Sequence, residues 1–217
     1  MNGEPGTTDD LVRRAADGDE PALAELFAAH RGRLRQLVRL RLDRRLQGRV
    51  DPSDVLQEAY IDLAHKLPEY ARASTMPLYL WLRLVVAERL LRVHRQHLNA
   101  AMRDAGREIS LHQGALPPAS SASLAAGLLG RFTSASRAAI RAERQIQLQE
   151  VLNGMDETDR EVIALRHFEE LSNDEVAAVL GLSKAAASKR YVRAMLRLKA
   201  ALSSVPGLAD PTDGQAT

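Results

Sequence analysis

Apolar positions recur every three or four residues along most of this chain, the spacing of helices buried on one face. The clearest run is 171–199, LSNDEVAAVLGLSKAAASKRYVRAMLRLK. Ser172 and Glu175 have the spacing of a capping box, in which hydroxyl and carboxylate each take an amide at the helix start. The first helix is expected to end at Leu180, because Gly181 suits the left-handed residue that closes a helix. Ser183 caps the next one. There Ala187, Tyr191, Ala194 and Leu198 form one stripe. The other face carries Ala185, Lys189 and Arg193, with Lys184, Ser188 and Arg190 close by. Ala177 and Gly181 are small enough to let the two helices pack closely. This division suits a helix-turn-helix: one face holds the core while the other offers long donors to a DNA groove. Lys189 and Arg193 suit phosphates or guanine edges, and Ala185 permits close approach with a methyl contact to thymine. An ordinary helical hairpin with a solvated basic face is the plainer alternative, but it does not require the caps, the glycine turn and the small packing residue together.

The same period predicts helices upstream. Asp9 or Asp10 caps a first, which ends at the Asp17–Pro21 break. Pro21 suits the first turn of a second, with Leu23, Leu26, Phe27, Leu34, Leu37 and Val38 inward. The arginines between positions 31 and 45 read as a solvated face whose stems cover the core edge. A third helix opens at Asp51-Pro52-Ser53-Asp54, with Asp51 at the cap and Pro52 at the first helical position. Val55, Leu56, Ala59, Tyr60 and Leu63 face inward. Asp54, Gln57, Glu58 and Ile61 make the neighbouring face, acidic and amidic around an apolar centre, as suits docking to a basic protein surface. Asp54 also complements the helix dipole, and Glu58 reads equally as a solvated carboxylate. Pro68 predicts a break, followed by a loop over Leu67–Met76. The fourth helix, after Pro77, is apolar on most sides at first, with Trp81 in the core. It then turns basic at Arg89, Arg92, His94, Arg95 and His97. That end, with a polar loop carrying Ser74 and Thr75, offers a nucleic-acid surface. His94 and His97 have metal-like spacing but no carboxylate partners in view, and read as phosphate-proximal or exposed.

After Arg107 the pattern stops. Ser, Ala, Gly and Pro dominate to Ser136, which reads as a linker. Its scattered Leu111, Leu116, Leu124, Leu128, Leu129 and Phe132 imply that it binds something along its length. The expected architecture is all-α: two small helical domains, 9–107 and 137–203, joined by an irregular flexible linker over 108–136. A disordered tail covers 204–217, and the C-terminal domain holds the helix-turn-helix.

Composition narrows the chemistry. The 217 residues contain no cysteine, which excludes disulfides, thiolate metal sites and cysteine nucleophiles. The net charge is only +2, so any nucleic-acid affinity must come from local patches. No phosphate loop, metal cluster or nucleophile constellation is visible; the chain is expected to be no enzyme and to need no cofactor or metal. The first ten residues carry neither a basic run nor an apolar run, and no stretch has the length of a membrane span. The expected location is the cytoplasm, without membrane insertion.

With these motifs in place, the chain resembles a bacterial sigma factor of the extracytoplasmic-function class. DPSDVLQEAYIDLAHKLPEY looks like the polymerase-clamp helix of that family, with Asp51, Asp54, Gln57 and Glu58 at the positions of its D-x-x-D-x-x-Q-E pattern. MPLYLWLRLVVAERLLRVHRQHL resembles its promoter-melting and −10-reading helix, and Leu171–Lys199 its −35 reader. The resemblance implies a subunit that binds core RNA polymerase and directs promoter-specific initiation. Its partners would be that polymerase and double-stranded and melted promoter DNA, with an anti-sigma protein as an optional further one. It places Arg89, Arg92, Arg95, Ser74 and Thr75 at the −10 DNA, and Lys184, Ala185, Ser188, Lys189, Arg190 and Arg193 at the −35 duplex. It also implies a linker that threads through the polymerase. The chain departs from the family at Lys184-Ala185-Ala186-Ala187, where many relatives carry a Glu-Gly-Thr-Val-like run. A second reading stays open at this point: a stand-alone dimeric helix-turn-helix transcriptional regulator.

Overall fold

Two Asp caps and their prolines set the frame of the first half of the chain in the computed structural model, which describes residues 7–98, 116–130 and 138–203. Helices α1 (Thr8–Ala16), α2 (Glu20–Arg41), α3 (Pro52–Ala73) and α4 (Leu78–Leu98) form the N-terminal unit. Asp19 caps α2 by accepting the Ala22 amide, and Asp51 caps α3 by accepting the Ser53 amide at 2.7 Å. The apolar stripes then close on one another. Leu34, Leu37 and Val38 of α2, Leu56 and Leu63 of α3, and Leu82, Val86 and Leu90 of α4 are almost wholly buried. At one end Ala22, Leu23, Leu26 and Leu67 form a cluster against which Leu11, Tyr60, Tyr70 and Trp81 pack.

Pro68 does not break α3. The helix runs through it to Ala73, so the expected loop over Leu67–Met76 shrinks to four residues, Ser74–Pro77. A mid-helix proline costs roughly 3 kcal/mol. Fully buried Leu63 and Leu67 sit on the turns around it, and Tyr70 stacks on Trp81 with ring centroids 4.4 Å apart. Tertiary packing on both sides of the proline outweighs the lost backbone bond.

The C-terminal unit contains α5 (Ser121–Gly130), α6 (Ala138–Asn153), α7 (Glu157–Ile163), α8 (Asn173–Leu180) and α9 (Lys184–Ser203). A π-turn over Ala164–Phe168 follows α7. Helix α5 is a correction to the irregular linker expected over 108–136. Leu124, Ala125, Leu128 and Leu129 are buried, and the Ala119 amide donates to Glu161 at 3.1 Å. The linker leucines at these positions therefore bind the chain's own C-terminal unit. The rest of the expected linker, 108–115 and 131–136, lies outside the described residues, as does the tail 204–217. Among the described residues every regular element is helical.

Candidate nucleic-acid interface and partner face

Both caps of the helix-turn-helix form as the residues demand. The Ser172 amide donates to Glu175 Oε2 at 2.7 Å, and the Glu175 amide donates to Ser172 Oγ at 3.2 Å. Gly181 takes φ 63° and closes α8, with the Leu182 amide bonded to the Ala177 carbonyl. Ser183 Oγ accepts the Ala186 amide at 3.2 Å. Asn173 ties the two helix starts by donating to the Lys184 carbonyl at 2.8 Å. Ala187, Ala194 and Leu198 are buried, holding α9 to the core by one face.

On the opposite face Ala185, Ser188, Lys189 and Arg193 are exposed. Lys189 and Arg193 have no protein partner among the described residues. Two other basic positions differ from expectation. Lys184 pairs with Asp174 at 2.6 Å, though both side chains remain largely exposed. Arg190 turns inward to Asp156 at 3.3 Å and to Asp159 at 3.8 Å, so it belongs to the packing side of α9 rather than to its exposed basic side. Arg197 joins it, reaching Asp159 at 2.5 Å. Burial opposes ionisation of Asp156, but the amides of Asp159 and Thr158 with Arg190 outweigh it and hold the carboxyl below the usual range.

The N-terminal unit sorts its expected residues similarly. Asp54, Gln57 and Glu58 are exposed on α3, and Ile61 beside them is 56% exposed. Asp54 and Gln57 have no protein partner among the described residues. A cleft of about 240 Å³ lies next to them, lined by Phe27, Arg31, Ser53, Leu56, Gln57 and Tyr60. Asp51 serves chiefly as the cap: the Ser53 amide, then the Ser53 hydroxyl and the arginines 35 and 39, hold its carboxyl low.

Arg89 is largely withdrawn from solvent. Its guanidinium forks onto Asp62 at 2.7 and 2.9 Å and reaches Glu58 at 3.1 Å, with only 15% of the side chain exposed. A charge so paired is neutralised, and Arg89 is a brace between α3 and α4. Arg92 lies 3.8 Å from the same Asp62 but stays 42% exposed. Arg95 is exposed and without a protein partner among the described residues. His94 is a further correction: it is buried, and its Nε2 accepts the Asp43 amide at 3.1 Å, joining α4 to the turn after α2. His97 is exposed.

Ser74 and Thr75 stand at the tip of the short α3–α4 loop. Ser74 Oγ accepts the Met76 amide, and Tyr70 donates its hydroxyl to the Met76 carbonyl at 2.8 Å. The loop forms one wall of an open cleft of about 920 Å³; Asp9 and Arg13 of α1 and Asp17 at its end line the other. The reading of the sequence missed Asp62 and Asp159, the partners that decide which arginines are available. Asp62 follows Glu58 by one turn and Asp159 follows the Asp156 cap by three residues. Those local signals were present, but their partners are distant in sequence.

An all-α chain whose C-terminal unit ends in a capped helix-turn-helix with a free basic face is, by fold and site, a DNA-binding transcription protein. The model of sigma-70 region 4 matches residues 145–198, from within α6 through α7 and α8 to most of α9. The sigma factor SigD of Mycobacterium tuberculosis, an extracytoplasmic-function RNA polymerase sigma factor, is 28% identical over 199 residues, 92% of this chain and 84% of SigD. The sigma factor NccH of Alcaligenes xylosoxydans xylosoxydans is 28% identical over 205 residues, 93% and 97% of the two chains. A solved structure of CnrH in complex with the cytosolic domain of CnrY aligns with a TM-score of 0.53 at 25% identity, covering 91% of this chain and 97% of that one. Over most of its length the chain is similar to RNA polymerase sigma factors, one of them of the extracytoplasmic-function class, and the dimeric-regulator reading is not favoured.

Proposed function

We propose that this chain docks on core RNA polymerase through the outer face of α3 and selects promoters with two separate DNA surfaces. Asp54, Gln57 and Glu58 share the exposed face of α3 with Ile61, an apolar side chain left in water, and Gln57 lines a small cleft. That is the observation that supports the docking face most strongly, since an exposed isoleucine next to acidic groups suits a basic partner with an apolar centre. Lys189, Arg193, Ser188 and Ala185 meet the −35 duplex, with Lys184 at the edge of the contact. Arg95, assisted by Arg92, follows the phosphates near the −10 element. An unstacked base is held against Ser74 and Thr75 in the cleft they share with α1, at a cost of a few kcal/mol for unstacking, roughly. The unit up to residue 107 supplies polymerase docking and −10 reading, and residues 137–203 supply −35 reading. Among the described residues no helix is long and apolar enough to cross a membrane, in keeping with action in the cytoplasm. CnrH was solved with a bound cytosolic domain; by analogy an anti-sigma protein is a further partner of this chain.

The test is co-elution of the purified chain with core RNA polymerase, repeated with Asp54→Ala/Glu58→Ala. A stable complex that the double substitution abolishes is expected. A complex that survives moves the docking face elsewhere, and no complex with the unaltered chain overturns the proposal.

A further inference from the structure

We propose that Asp159 is a positioning and specificity residue for DNA reading: it withholds Arg190 and Arg197 from phosphates and fixes the face that α9 presents. This rests on the reading of α9 as the DNA-facing helix. Asp159 lies in the first turn of α7, and its side chain is only 4% exposed. One oxygen accepts from Arg197 Nη1 at 2.5 Å, and the other lies 3.8 Å from Arg190 Nη1. The same Arg190 Nη1 donates to Asp156 Oδ1 at 3.3 Å. The two arginines are seven residues apart, two helical turns, so they share one side of α9. Lys189 and Arg193 lie one turn apart on the adjoining exposed side.

Helix α9 carries five cations in its first four turns: Lys184 pairs with Asp174 at its start, Arg190 and Arg197 are held by Asp156 and Asp159, and Lys189 and Arg193 are free. Held cations displace no counterions from DNA. Sequence-independent binding grows with every cation that reaches a phosphate, whereas base preference depends on which side chains meet the groove. Within this cluster only the Asp159 carboxylate is buried, the Arg197 side chain being 61% exposed and that of Arg190 32%, and ion pairs with solvent access add little stability. What this one does achieve is geometric. It pins α9 across two turns to the cap of α7 and leaves only the Lys189–Arg193 side to meet DNA.

The experiment uses the full chain with core RNA polymerase. A library of duplexes randomised over the −35 region first selects a preferred sequence. Affinities for that duplex and a scrambled one are then measured over a range of salt. With Asp159→Asn, the two arginines are freed: scrambled DNA should bind more tightly, its salt slope should steepen by about 1 to 2, and the preference for the selected duplex should fall about tenfold. Asp159→Glu should keep most of the preference. Arg190→Gln/Arg197→Gln, at partly exposed positions, guards against failed folding of the Asn variant. It should lose preference with the salt slope of the unaltered protein, since the removed cations were already neutralised. An unchanged slope with equal weakening on both duplexes in Asp159→Asn would mark a merely structural residue and overturn the proposal. So would full preference in the double glutamine variant. A holoenzyme that enriches no −35 sequence overturns the reading of α9 itself.

Discussion

His94 accepts a hydrogen bond from a backbone amide and so must be neutral at that nitrogen to do its work. Its Nε2 takes the Asp43 amide, and protonation would put a donor against a donor. Burial pushes the imidazole below its ordinary value near 6.5, with Asp43 opposing the shift and Arg45 adding to it. In the unfolded chain the ring takes a proton first as pH falls. The stability this site contributes is therefore complete above the unfolded value and is lost as pH drops from there through the depressed folded value. Melting temperature between pH 7.5 and 5.5 should fall more steeply for the unaltered protein than for His94→Gln, whose amide oxygen replaces the acceptor without titrating. At neutral pH the substitution should cost about 1 kcal/mol. Parallel pH profiles for the two proteins would remove His94 from this role.

Helix α5 has no charged residue and holds two glycines in ten positions, SASLAAGLLG. A helix of that length is marginal in water, so α5 owes its existence to the surface on which it packs. Gly127 marks how close that packing is: a Cβ placed there would lie 2.6 Å from Phe168 Cε1. The Phe168 ring is itself buried and must shift to make room. Gly127→Val should destabilise the C-terminal unit by about 1–3 kcal/mol, as overpacking does, read by urea unfolding. Amide exchange over residues 121–130 should rise with it. Gly130, with nothing within 4 Å of its would-be Cβ, is the control: Gly130→Ala should stay within about 0.5 kcal/mol. Equal effects at the two glycines would contradict the close contact.

At the scale of the whole molecule, 30 basic and 28 acidic residues nearly cancel. DNA affinity must then rest on the few cations that acidic neighbours leave free. Lys189→Ala and Arg193→Ala are each expected to act in one of two ways. A lost phosphate contact weakens all duplexes alike and reduces the salt slope by about 1, whereas a lost base contact costs about 1–3 kcal/mol at one position. Salt titrations on single-base variants of the −35 duplex separate the two. If neither substitution alters −35 binding, the assignment of the exposed face is wrong. Asp54→Ala/Glu58→Ala, in the other unit, should leave the affinity of the isolated chain for this duplex unchanged.

The sequence alone determined whatever depends on neighbours within a turn or two. Ser172–Glu175, Gly181, Ser183 and the Asp51-Pro52 start are local hydrogen-bonding devices, and they formed where their spacing placed them. The apolar stripes likewise marked the core and left Ile61 outside it, while Trp81, expected within it, is half-buried against its edge. Tertiary structure alone decided which charges remain available. Arg89 and Arg190 look like their free neighbours Arg95 and Arg193 in sequence. Asp62 and Asp159 claim them only because α3 and α7 pack alongside, 27 and 31 residues away in the chain. The same holds for His94, whose acceptor role needs the amide of Asp43, 51 residues upstream, and for Pro68, whose local preference to end a helix yields to packing on both sides. A segment of Ser, Ala, Gly and Leu reads as a linker until a partner surface buries its leucines. For α5, that surface is the chain's own C-terminal unit.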